Sequence, residues 1–274
     1  MNITPNEVQE AVMTQLWLAD EFLAGLIFEL GVKYADTKED WIAYTDYKSI
    51  NINLNETKKY NMNLDNYMML TVHELMHILT MTNDRRGNRD PEIWNWASDY
   101  EINSMIINNV DGTGNKRNIG QIPVFQGQQV GLYDEKYKNM SAEQIYDILY
   151  QQHQQQQQQQ QNQDGNGGGS SADGQQGSGQ SMREWLEQNC GKQLDDHTFL
   201  ENIPDDVKEE IKMKVQNMMN EMQNRDSSKI SSIFNRLNEF ILKQPPFDWK
   251  GALTHYIKSF IKNDFTWKRP ARRS

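Results

Sequence analysis

His73 and His77 stand four residues apart in Thr71-Val72-His73-Glu74-Leu75-Met76-His77, within a largely apolar stretch covering residues 64–81. On a helix, residues four apart differ by about 40° around the axis, so both imidazoles leave the same side one turn apart and can ligate one ion. Glu74 lies about 100° further round, placed to take a proton from a water on that ion without being a ligand. Two neutral imidazoles leave a zinc ion open positions and its Lewis acidity, and a neighbouring carboxylate is the base that water activation needs. The competing reading is two buried histidines satisfied by hydrogen bonds. Leu70, Val72, Leu75, Met76, Ile78 and Leu79 surround them on almost every side. A helix apolar all round is buried, and polar groups inside it require partners. A metal ion is one such partner.

Two histidines do not complete a metal site, so a third ligand is expected downstream. Asp90 suits a helix N-cap and Pro91 the first helical position, opening a helix through about Ile107. On it Asn95, Asp99 and Asn103 form a polar stripe flanked by Trp96, Ile102 and Ile106, whereas Glu101, Ser104 and Asn108 read as the wet face. An aspartate pointing inward is expensive unless engaged. Asp99 is therefore the expected third ligand, with Asn103 one turn on to orient it. The alternatives are a local ion pair from Asp99 to Arg85 or Arg89, and Glu101 as the ligand instead.

Other elements must position these two helices. Thr4-Pro5-Asn6-Glu7 opens a helix expected to run to about Leu23, and residues 26–30, between Gly25 and Gly31, read equally as strand or helix. Residues 40–45 and 49–54 read as strands, the second with clean alternation. A helix beginning near Ser141 is expected to end at Tyr150. Residues 151–181 are nearly all Gln, Gly, Ser, Asn and Asp, too poor in apolar groups to offset the entropy of ordering, so a flexible linker is expected. His153 falls inside it and receives no role. Beyond it come a helix carrying Val207, Ile211, Val215, Met218 and Met222 on one face, another with Ile230, Phe234, Leu237 and Ile241, and a last one over about 249–261. The methionines at helical spacing read as core. The expected class is α+β, mostly helical, divided into a core over 1–150, the linker 151–181, and a helical segment 182–274 completing the same domain.

Composition excludes several classes. A formal charge of −10 argues against nonspecific nucleic-acid binding, which calls for a basic face. The acidic excess lies with the histidine motif: 22 acidic against 12 basic residues up to Tyr150, 14 against 16 from Met182 onward. Cys190 is the only cysteine, which rules out an intrachain disulfide and a cysteine-rich zinc site. With neither a basic leader nor about 20 consecutive apolar residues, a cytoplasmic protein without a membrane span is expected.

The His-Glu-x-x-His motif, then Arg85 and Trp94-Asn95-x-Ala97-x-Asp99-x-x-Ile102-Asn103, resembles the metallopeptidase domain that precedes a von Willebrand factor A-like domain in bacterial and phage proteins. Phe247-Asp248-Trp249-x-x-x-Leu253 and Phe265-x-Trp267-x-Arg269-Pro270-x-Arg272-Arg273 resemble the end of that domain. The resemblance implies a zincin-like active-site helix beside a small sheet, with C-terminal helices packed on it. It also implies a substrate-binding strand among residues 40–54, peptidase activity on a protein or peptide, and a von Willebrand factor A-like partner. Relatives often carry a further histidine where this chain has Thr82, which favours Asp99 as the third ligand here. They also carry an acidic–histidine element near Asp195-Asp196-His197, making His197 a candidate to orient substrate or steady an oxyanion. The resulting expectation is zinc-dependent peptide hydrolysis, with His73, His77 and Asp99 as ligands and Glu74 and His197 as catalytic groups. Two alternatives stand beside it: a non-catalytic assembly or adaptor protein with a structural metal, and a protease whose Gln-rich stretch covers its own cleft.

Overall fold

The histidine motif lies on α4, Leu64–Leu79, which is buried from Asn66 to Leu79. Asn63 starts it: its side chain accepts from the Asn66 amide while Asn66 returns a bond to the Asn63 N–H, satisfying two of the orphan donors of the first turn. The computed structural model describes residues 4–164, 181–195, 200, 203–223 and 230–243. The chain divides into two compact units, Met1–Leu237 and Asn238–Ser274; the first carries everything described below, and the second is described only over residues 238–243.

The class is mostly helical α+β. The helix opened by Thr4 is two helices, α1 (Pro5–Ala19) and α2 (Glu21–Leu30). Asp20 separates them, accepting from the Leu23 amide as the N-cap of α2 and pairing with Arg117 at 3.2 Å. Residues 26–30 are therefore helical, and Gly31 ends them at a positive φ of 84°, a conformation glycine adopts without steric cost.

Three short strands follow: β1 (Val32–Ala35), β2 (Ala43–Thr45) and β3 (Ile50–Asn53). Their order is β1-β3-β2, with β1 parallel and β2 antiparallel to β3. The two strands expected within 40–54 are present, and β1 is one that periodicity did not reveal. β2 is the edge strand beside α4. A one-turn helix α3 (Leu54–Lys58) leads to α4, and α5 (Thr82–Arg86) leads away from it. The Tyr34 hydroxyl on β1 meets Thr71 of α4 at 2.5 Å, tying sheet to helix.

α6 (Pro91–Ile107) packs on α4. The wet face expected for Glu101 and Ser104 does not exist: both are buried, and Glu101 pairs with Arg85 of α5 and with Arg236. Next comes a loop with the small antiparallel pair β4 (Val124–Phe125) and β5 (Gln128–Gln129). α7 (Ala142–Asp164) runs past the end expected at Tyr150 into the glutamine-rich stretch. Glutamine is a fair helix former, and Ile145, Leu149 and His153 extend one inward stripe along α7. His153 is buried with its ring 5.0 Å from Trp185 of α8 (Met182–Cys190). α9 (Asp205–Gln223) packs on α2, where a Cβ on Gly25 would come 3.3 Å from the Met218 sulfur. Ile211, Val215, Met219 and Met222 of α9 are core. α10 (Ser232–Lys243) sets Phe234 edge-on to Phe22 at 5.1 Å. The final expected helix, with His255 and the terminal arginines, lies outside the described residues.

Candidate metal centre

Four side chains converge where α4 and α6 cross. Ligand-capable atoms of His73, His77, Asp99 and Asp195 all lie within 4.8 Å of one another. The two Nε2 atoms are 2.9 Å apart. Asp99 Oδ1 is 3.4 Å from His77 Nε2 and 3.8 Å from His73 Nε2. Asp195 Oδ2 is 3.2 and 3.3 Å from the same atoms. A tetrahedral ion with bonds of about 2.0–2.1 Å needs donor separations of about 3.3 Å, so the set has the right size.

Hydrogen bonds fix which nitrogen of each ring faces the centre. The Asn103 amide donates from Nδ2 to the Leu132 carbonyl at 2.8 Å, which leaves its oxygen to accept from His73 Nδ1 at 2.7 Å. His73 therefore carries its proton on Nδ1 and presents a lone pair at Nε2. For His77 the chain is longer. The Thr80 hydroxyl donates to the Met76 carbonyl at 2.8 Å, so in the 2.9 Å contact between Thr80 and Thr82 it is Thr82 that donates. Thr82 is then an acceptor for His77 Nδ1 at 3.3 Å, and His77 likewise presents Nε2. Two inward lone pairs 2.9 Å apart repel unless a cation or a proton lies between them. The donor set, held in this tautomeric form beside two carboxylates, fits a divalent ion.

Electrostatics agree. Burial disfavours charge on His73, but Asp195, Asp99 and Glu74 outweigh it and lift the imidazole to about 9. The surrounding carboxylates favour positive charge at this centre. Glu74 is buried beside His73 on α4, and its charge contributes to that shift.

The structure brings His73, His77 and Asp99 together, and Glu74 is buried next to His73 on α4. Two supporting assignments differ from expectation. Asn103 holds His73 rather than Asp99, because one turn along α6 carries it past the carboxylate to the imidazole. Asp99 is held instead by Gln193, whose Nε2 donates to Oδ2 at 2.8 Å. Glu101 is not a rival ligand: it takes Arg85 at 2.9 Å and Arg236 at 3.3 Å, and Arg85 also grips Glu143 through Nε and Nη2. Arg85 is thereby committed away from Asp99, while the Arg89 guanidinium lies over Trp94 and Tyr146. His197 lies outside the described residues.

Asp195 is the residue the sequence reading missed. It stands at the head of the acidic–histidine element, in which His197 is the group the family resemblance singles out. α8 delivers it: the Tyr100 hydroxyl donates to the Cys190 carbonyl and Trp96 Nε1 to the Gly191 carbonyl, so two α6 side chains anchor the chain just before it. Gly191, at φ 100°, turns the chain out of α8 toward β2, where Asp195 bridges Ala43 in parallel sense.

Two pockets border the centre. One is a wide polar groove of about 540 Å³ between the approach to β2 (Asp40, Trp41) and α6 (Glu92, Asn95, Trp96). The other is narrow and mainly apolar, with about 20 Å³ free between Met69, Ile122, Val130 and Leu132, and it opens onto His73 and Asp99. Among the described residues, no helix is long and apolar enough to cross a membrane. No curated protein and no solved structure matches the chain. A family model does match, over residues 4–274, and on that span the chain belongs to the family described as "Putative metallopeptidase domain".

Proposed function

We propose that this protein is a zinc-dependent peptidase in which His73, His77 and Asp99 hold the metal and Glu74 is the general base. The observation that carries the reading is the pair of imidazoles, each anchored through Nδ1 and presenting Nε2 to one point shared with Asp99, with Glu74 buried alongside. When bound, zinc supplies the Lewis acidity that makes water a nucleophile near neutral pH and polarises the carbonyl it attacks. Glu74 accepts a proton from the attacking water as its oxygen bonds to the carbonyl carbon. It returns that proton to the amide nitrogen as the C–N bond breaks, leaving a carboxylate and an amine. Asn103 and Thr82 keep the two ring protons on Nδ1 throughout. β2 offers its edge to an extended peptide. His197 is assigned to steadying the oxyanion on the family likeness alone. The same likeness suggests a von Willebrand factor A-like partner, and the composition suggests the cytoplasm.

Elemental analysis of the purified chain should find one equivalent of zinc. The Glu74→Gln variant should keep the metal and lose peptide hydrolysis by about 10²–10⁴-fold. Metal-free protein, or undiminished turnover in the variant, overturns the proposal. One observation favours a second reading: Asp195 makes a fourth protein donor, and a closed set of four is the mark of a structural site. On that reading the protein is a non-catalytic assembly or adaptor module, and Glu74→Gln changes nothing that can be measured as hydrolysis.

A further inference from the structure

We infer that Gln193-Leu194-Asp195 occupies the substrate's place in the cleft, and that the cleft takes extended peptides carrying a leucine-like aliphatic side chain beside the bond to be cut. The inference rests on the peptidase reading of the centre. Three observations on different atoms support it. The backbone of Asp195 pairs with Ala43 on the edge of β2, where an extended peptide finds unpaired main-chain groups. The side chain of Leu194 reaches into the narrow apolar pocket and lies against Gly131, where a Cβ would sit 3.4 Å from Leu194 Cδ1. The carboxylate of Asp195 stands among the metal donors, 3.2 Å from His77 Nε2, a position suited to a hydrolysed peptide's new carboxylate.

Leu194 and Asp195 also line both pockets, the outer groove and the inner apolar one. They form the partition between the two. With this segment withdrawn, the groove would run through to His73 and Asp99, and the volume now filled by the leucine would become a side-chain pocket walled by Met69, Ile122, Val130 and Leu132. The segment crosses the cleft edge a few residues after α8. It meets the centre through the Gln193–Asp99 hydrogen bond, the Asp195 carboxylate and a strand bridge to β2. This also reconciles four protein donors with hydrolysis: Asp195 is the ligand that a substrate displaces. The covering piece is then the turn after α8 rather than the glutamine-rich stretch.

The test uses the full chain loaded with cobalt, whose visible absorption reports the donor set, and two probes: a hydroxamate built on leucylglycine and its glycylglycine counterpart. Wild type should bind the leucyl probe weakly and at least tenfold more tightly than the glycyl one. Asp195→Ala should retain cobalt with an altered spectrum and bind the leucyl probe at least tenfold more tightly than wild type does. Leu194→Ala, which leaves every donor in place, should move the same way by a smaller factor, and thermal unfolding verifies that both variants fold. Loss of cobalt from Asp195→Ala, or probe affinities unchanged in both variants, overturns the inference, as does equal affinity for the two probes. If the probes bind as expected but no peptide is hydrolysed by any variant, the peptidase reading falls while the occupancy of the cleft stands.

Discussion

The ring tautomers of His73 and His77 are set by side chains that never touch the metal position, and this makes them separately testable. Replacing Asn103 by leucine preserves approximate volume but removes the acceptor for His73 Nδ1 and leaves the Leu132 carbonyl without its donor. His73 is then free to carry its proton on Nε2, in competition with the metal. We expect metal affinity to fall by about 10–100-fold, read by competition with a chromophoric chelator, with helix content unchanged. A variant that binds metal as tightly as wild type would show that the amide plays no part in holding the ring. The convergence of His73, His77 and Asp99 was legible in the sequence because helical spacing alone decides which residues share a side. The role of Asn103 was only half legible: its inward face could be read, but not which of two neighbours, one turn apart, it would reach. Asp195 was out of reach of such reasoning, since it arrives from 96 positions beyond Asp99 through a segment with no period to follow.

The centre depends on a loop lying against the flank of α4. Gly120 adopts a φ of 124°, and a Cβ there would fall 2.3 Å from the Met69 nitrogen and 2.7 Å from the Asp65 carbonyl. The neighbouring Gln121 amide donates to that same Asp65 carbonyl, and Asn66 donates to the Gln121 carbonyl. Backbone is thus packed on backbone, and no rotamer change can make room. Gly120→Ala should cost about 3 kcal/mol or more, combining overpacking with a strained φ, and should be seen as a lowered urea midpoint at unchanged m-value. Because the same loop carries Ile122 and leads to Val130, the apolar pocket should loosen with it. The two long site helices were readable from capping and periodicity. The break at Asp20 and the strand Val32–Ala35 were not: a single capping aspartate inside an apolar pattern looks like a tolerated polar residue, and four residues are too few to define a period. The length of α7 was misjudged for the opposite reason. Composition argued for a linker, while the burial of His153 against Trp185 gives that turn of helix a tertiary contact that composition cannot reveal.

The unit Met1–Leu237 is clasped by an ionic network that joins elements on both sides of the glutamine-rich stretch. Arg85 of α5 pairs with buried Glu101 of α6 and with Glu143 of α7, and Arg236 of α10 closes on Glu101 and on the Met140 carbonyl. Burial raises the carboxyl of Glu143, but the Arg85 guanidinium outweighs it and draws it down to about 2. A carboxylate depressed in this way stabilises the fold above its unfolded value near 4.5, and that contribution is lost as pH falls from there toward 2. Wild-type stability, followed by urea unfolding, should therefore decline steeply between pH 4.5 and 2. Arg85→Leu should remove this part of the dependence, because the unpaired Glu143 returns toward its ordinary value in both states. The same variant should lose about 3–5 kcal/mol near neutral pH, since among the described residues Glu101 keeps the longer contact to Arg236 and is buried. The two effects are read separately: the first as a change of slope with pH below about 4.5, the second as a loss of stability near neutral pH. A loss near neutral pH without a change of slope would place the acid sensitivity in groups other than Glu143.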